Sequence, residues 1–212
     1  MRSCLLALAL IAAPALAAPD IDEAVAAYEV GELAKARLAF TRLSRTGLPA
    51  ADYNLAVMHL RGELPHANPR EARRLMTRAA QAGFVTAMHG MGQLHELGQG
   101  GLRVNLVEAN RWYLRAAQAG SVDGQVAIAT AFYLGRGAAK DAVQAAHWYR
   151  IAAQGGDIGA MYLIASMFEA GDGVERDLKE ARYWYSVAAR NGDEAAPSKV
   201  IELDARLGAP KT

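Results

Sequence analysis

Residues 160–192 read AMYLIASMFEAGDGVERDLKEARYWYSVAARNG, and two helices joined by a glycine turn can be traced in them. In the second half, Ala181, Trp184, Tyr185, Ala188 and Ala189 fall at offsets 0, 3, 4, 7 and 8, the spacing of one buried helical stripe. Asp177 precedes it as an N-cap with Glu180 three residues on, which resembles a capping box. Gly192 closes it, as a glycine that ends a helix in the left-handed region does. The first half places Ala160, Ile164, Ala165 and Phe168 on a shorter apolar face, with small residues in the middle that let a neighbouring helix come close.

The same marks recur upstream in phase. Trp112, Trp148 and Trp184 are 36 residues apart and each is followed by a tyrosine, Tyr113, Tyr149 or Tyr185. Closing glycines stand at Gly47, Gly83, Gly120, Gly156 and Gly192, at intervals of 36 or 37. Cap positions follow at Asn68, Asn105, Asp141 and Asp177, with Glu71, Glu108, Gln144 and Glu180 three residues later, and Pro69 occupies the first helical position where its missing N–H costs nothing. The first-helix series is Ala51, Leu55, Ala56, His59, then Ala87, Met91, Gly92, His95, then Gly124, Ile128, Ala129, Phe132. A sustained period of this length means stacked supersecondary units, so the expected fold is an all-α solenoid of helix-turn-helix repeats.

The order of alanines, Gly-x-Gly, Asp, Trp-Tyr, Ala-Ala and closing glycine resembles the Sel1-like repeat, a relative of the tetratricopeptide repeat, through four units between residues 49 and 192. That resemblance implies a right-handed superhelix that serves as a scaffold for proteins, and exported bacterial members resemble adaptors of envelope signalling or polysaccharide machinery. The expected boundaries are 18–47 for a tetratricopeptide-like helix pair as starting cap, then repeats at 48–83, 84–120, 121–156 and 157–192, then a closing helix and tail at 193–212. The first repeat departs from the pattern, with Leu75-Met76 in place of Trp-Tyr and Pro65 in its loop. A secreted branch of the family carries paired cysteines in every repeat; none exist here, and its properties are not transferred.

The opening MRSCLLALALIAAPALAAPD has one positive charge at Arg2, an apolar run from Cys4 to Ala13 and an Ala15-Leu16-Ala17 exit. It reads as a signal peptide over residues 1–17. A retained anchor is the competing reading, but the run is short of the roughly 20 residues a bilayer needs and Pro14 interrupts it. Export to the periplasm or medium is therefore expected, without stable membrane insertion after cleavage. Cleavage would remove Cys4, leaving no thiol for disulfide, metal or nucleophile, and would leave 22 basic against 22 acidic residues. A net charge of zero argues against nucleic acid as a partner.

Chemical motifs give way to packing explanations. Gly135-Arg136-Gly137 and Gly171-Asp172-Gly173 follow helices and recur once per unit, so they read as turns and not as phosphate loops. His59 and His95 share a register with Phe132 and Phe168, which makes that slot a packing slot, and no third metal ligand recurs with them. The tryptophans read as core, not as a sugar platform. Arg70, Arg73, Arg74 and Arg78 read as a solvated helix face, with a basic docking strip as the alternative. No catalytic motif is found, so no enzyme activity, cofactor or metal is expected.

If the stack follows the tetratricopeptide arrangement, first helices line the concave side. Positions resembling the family's ligand-facing ones are then Tyr53, Val57 and Leu60; His89, Gln93 and Glu96; Val126, Thr130 and Tyr133; and Tyr162, Ser166 and Glu169. Their mixture of aromatic, amide and carboxylate groups suits a protein or peptide from the cell envelope. Binding of a glycan or peptidoglycan fragment is the alternative, and hydrolysis by a carboxylate pair such as Asp22 and Glu23 a third reading.

Overall fold

The computed structural model describes residues 20–208, so the expected signal segment lies outside the described residues. Among the described residues there are eleven helices and no strand. They are α1 (Ile21–Glu29), α2 (Leu33–Arg45), α3 (Pro49–Leu60), α4 (Pro69–Gln81), α5 (Val85–Leu97) and α6 (Leu106–Gln118), followed by α7 (Val122–Leu134), α8 (Ala142–Gln154), α9 (Ile158–Ala170), α10 (Leu178–Arg190) and α11 (Ala196–Leu207). Each packs chiefly on the helix before it and the helix after it, as expected of an α-solenoid.

Alanine sets the spacing. Ala51, Ala56, Ala87, Ala129, Ala160 and Ala165 on the first helices, and Ala72, Ala79, Ala116, Ala145, Ala152, Ala181 and Ala188 on the second, are completely or almost completely buried. Larger side chains fill the gaps between them, among them Phe40, Met58, Ile128, Ile164 and Tyr185. Gly92 goes further: the Tyr113 ring lies where a β-carbon would be.

The second helices start as the sequence predicts, but only half of the expected box forms. The Asn105 side chain accepts from the Glu108 amide at 3.0 Å, the Asp141 side chain from Gln144 at 3.0 Å, and the Asp177 side chain from Lys179 and Glu180. The caps' own N–H groups turn back to the preceding helix, donating to the carbonyls of His95, Phe132 and Phe168 at 2.8, 2.9 and 3.0 Å. The reciprocal carboxylates are thereby released, and Glu71 and Glu108 pair instead with Arg74 and Arg111 one turn on.

In the first repeat the same N–H, that of Asn68, donates to the His59 Nδ1 at 3.2 Å. The slot shared by the histidines is accordingly half-buried for His59 and His95, a junction between helix end and cap and not a core site.

The ends are closed differently. At the start, α1 and α2 bury Ala24, Ala27 and Phe40; at the finish, α11 buries Leu203 and joins α10 through an ion pair of Arg182 with Asp204.

One expectation of the core needs correcting. Trp112 and Trp184 are each 8% exposed, but Trp148 is only half-buried. Its ring bridges two parts of the core and meets the exposed His147 across an edge at 5.2 Å. Trp184→Ala should therefore cost about 3–5 kcal/mol, as core aromatics do, and Trp148→Ala about half as much. Urea unfolding of the two variants checks that order.

Candidate functional site

The twelve first-helix positions fall into three rows, one member of each per helix. Tyr53, His89, Val126 and Tyr162 form the first; Val57, Gln93, Thr130 and Ser166 the second; Leu60, Glu96, Tyr133 and Glu169 the third. They lie on α3, α5, α7 and α9, and all are half-buried except the exposed Gln93. What covers them is largely aromatic. His89 lies 5.3 Å from the Tyr113 ring, Tyr162 meets Tyr185 edge-on at 4.9 Å, and Tyr53 packs on Phe84 at 5.4 Å.

The second-helix tyrosines pin these rows. The Tyr113 hydroxyl donates to Glu96 at 2.7 Å, the Tyr185 hydroxyl donates to Glu169 at 3.2 Å, and Tyr149 shares a 2.9 Å hydrogen bond with Thr130. Burial pushes all three phenols above their ordinary range, and for Tyr113 and Tyr185 the facing carboxylate adds to it. They stay protonated and available as donors.

Both carboxylates also receive a cation from farther along the chain. Glu96 accepts from Arg136 at 3.2 Å, and Glu169 from Arg206 at 2.7 Å and Lys199 at 3.3 Å. They are crosslinks between successive units, set beside the exposed Gln93 and the half-buried Tyr133. Lys140 lies 5.7 Å from the Tyr133 ring centroid.

The closing helix should loosen in acid. Burial alone would raise the Glu169 carboxyl, but the hydrogen bonds from Lys199 and Arg206 outweigh it and hold the group below its ordinary value of 4.5. The folded state then binds that proton less readily than the unfolded chain does. Its contribution is present above about pH 4.5 and is lost as the pH falls through the folded value. Hydrogen exchange of α11 amides should accelerate in acid relative to α9, and Glu169→Gln should flatten that pH dependence.

Other expected features separate in space. The Arg70 and Arg73 stems lie against Gly101 and Gly100 of the following loop, whereas Arg74 and Arg78 turn toward α2. Arg78 reaches the buried Asp52 on α3 and the Ser44 hydroxyl on α2, at 2.7 Å for the latter. Sequence reasoning missed this link. Its signal was Asp52 itself, standing in the register that Met88 and Met161 fill in other units. Asp22 and Glu23 are exposed in the first turn of α1, where they complement the helix dipole. Among the described residues no group of three or more His, Cys, Asp or Glu could hold a metal ion, and no helix is long and apolar enough to cross a membrane.

The Sel1 repeat family model matches residues 49–84, 85–121, 122–157 and 158–193. The chain belongs to the Sel1 repeat family. Each matched Sel1 unit starts one residue after the boundary expected from the glycine spacing, a difference of phase only. Among solved structures, the chain is similar to c5321 of uropathogenic Escherichia coli, described as a protective antigen displaying an SLR fold. The identity is 26% and the TM-score 0.79, over 90% of this chain and 43% of that one. A Sel1 repeat protein from Oxalobacter formigenes is 30% identical with a TM-score of 0.75, over 80% of this chain and 49% of that one. This chain thus spans less than half the length of either. No curated protein matches it. Sel1 repeat proteins are in general scaffolds for protein interaction.

Proposed function

We propose that this Sel1 repeat chain is an exported adaptor that holds a protein or peptide segment along the concave face of its first helices, within a cell-envelope complex. The observation that carries this reading is the set of three register-matched rows, crosslinked from behind by tyrosines and from one unit to the next by Arg136, Lys199 and Arg206. Side chains fixed before the partner arrives lose little freedom on binding, which favours a specific interface. Tyr53 and Tyr162 already pack on Phe84 and Tyr185, so the rings a sugar would stack upon are engaged, and that favours a protein segment over a glycan.

Photo-crosslinking residues placed at Gln93 and Tyr133 should capture a defined species in intact cells, and the same residues placed at Arg111 and Tyr183 on the second helices should not. Equal capture from both faces would sink the assignment. Because Tyr162 supports Tyr185, Gln93→Ala with Tyr133→Ala is the cleaner loss-of-binding pair. It should abolish capture with the helical circular dichroism unchanged.

A further inference from the structure

Where the starting helix pair meets the first Sel1 repeat, α2 and α4 part over α3 and leave a cleft of about 630 Å³. Leu55 and Leu75 form its floor, Arg37 and Arg45 stand on the α2 wall, and Arg74 and Arg78 on the α4 wall.

Two residues that line the cleft set this unit apart: Leu75 stands where later units carry Trp112, Trp148 and Trp184, and Leu64 stands where they carry a loop glycine. In later units a loop glycine docks against the start of the preceding second helix. A β-carbon on Gly137 would come within 2.6 Å of the Leu106 backbone, and one on Gly173 would overlap that of Ala142. Asn110 then stitches the loop down by donating to the Arg136 carbonyl at 2.7 Å. The loop of the first repeat, residues 61–68, is one residue longer than 135–141 and 171–177 because α3 ends one residue earlier in register; Leu64 occupies the docking register and Arg37 stands where Asn110 does. A leucine cannot enter a space that a single methyl group overfills. Leu64 instead packs against the core at the edge of the cleft, and Glu63 beside it accepts from the Tyr28 hydroxyl on α1 at 3.0 Å.

Its charges are unequally matched. Arg74 is paired with Glu71 and Arg78 with Asp52, but among the described residues Arg37 and Arg45 have no ion-pair partner. Two turns apart on one helix, they lie about 12 Å from each other along its axis. An extended peptide spans that distance in about four residues. We propose that this cleft binds an extended acidic segment of a partner protein, with two carboxylates about 12 Å apart flanking an apolar side chain. The carboxylates meet Arg37 and Arg45, and the apolar group settles on Leu55 and Leu75. This surface is separate from the concave face, and its occupant is defined by charge as well as shape.

The test uses the purified chain and a fluorescein-labelled peptide, Gly-Glu-Ala-Leu-Ala-Glu-Gly, with a twin carrying Gln for both Glu. Fluorescence polarisation at low salt should show the Glu peptide binding at least about tenfold tighter than its twin. Arg37→Glu with Arg45→Glu should weaken it by a similar factor with helicity unchanged, and Leu75→Trp, which restores the bulk carried by later units, should weaken it by filling the floor. The Gln93→Ala, Tyr133→Ala pair should bind it as the unaltered chain does, which keeps this result distinct from the fate of the concave-face reading. Equal affinity for the twin, or indifference to the charge reversal, would overturn the proposal. So would displacement of the peptide by a short oligonucleotide at lower concentration than by unlabelled Glu peptide, which would assign the cleft to a phosphate-bearing ligand.

Discussion

Gly173→Ala should destabilise the chain by roughly 2–4 kcal/mol, while Gly62→Ala costs about 1 kcal/mol. Both glycines have φ +71°, so the left-handed strain that an alanine would meet is the same in each. Their surroundings differ. A β-carbon at Gly62 meets nothing within 4 Å, whereas one at Gly173 runs into the Ala142 carbonyl and comes within 2.9 Å of the Val143 amide. Those are backbone atoms at the start of α8, which cannot turn aside as the end of a side chain can. The loop must lift, and with it the contact that joins the last unit to the one before. Because a solenoid is held together by nearest-neighbour interfaces, the damage should concentrate in α9 to α11. Urea unfolding followed by hydrogen exchange would show it, and equal costs for the two substitutions would mean that the close approach of the loop contributes nothing.

The features most legible in the sequence were those written three times or more. Cap residues, closing glycines and the Trp-Tyr stripe each encode a local geometry, and repetition in phase distinguishes them from coincidence. What joins one unit to another was harder to read. Glu96 and Glu169 look like ligand-facing carboxylates on their own helices, yet their cations, Arg136 and Arg206, lie 40 and 37 residues away. A search for opposite charges about one period apart would have found both pairs. The four arginines of α4 form one strip in a helical projection, but two of them face the following loop and two face α2, a division that depends on how neighbouring units pack. Trp148 shows the same limit: its register equals that of Trp112 and Trp184, and its burial does not. The Leu75 and Pro65 departures were visible as a broken repeat pattern. The cleft that both residues line required the position of α2.

Arg78→Ala should cost about 3 kcal/mol, whereas replacing both members of its pair should cost under about 1 kcal/mol. Asp52 is 2% exposed and sits in a slot that later units fill with Met88, Gln125 and Met161. The Arg78 register is filled later by Arg115, Ile151 and Val187, so the last unit carries an apolar version of the same contact. Removing the guanidinium alone strands a buried carboxylate and releases Ser44, and with it the link between α2, α3 and α4. The loss belongs at the low end of the range for broken buried pairs, because Arg78 is itself 45% exposed at the cleft and water can follow into its place. Asp52→Met with Arg78→Val copies the apolar version and leaves no charge to desolvate. Denaturant unfolding of the two single variants and the double closes the cycle. A double variant as unstable as Arg78→Ala would show that Arg78 stabilises the junction through its packed stem and its bond to Ser44, not through the charge it brings to Asp52.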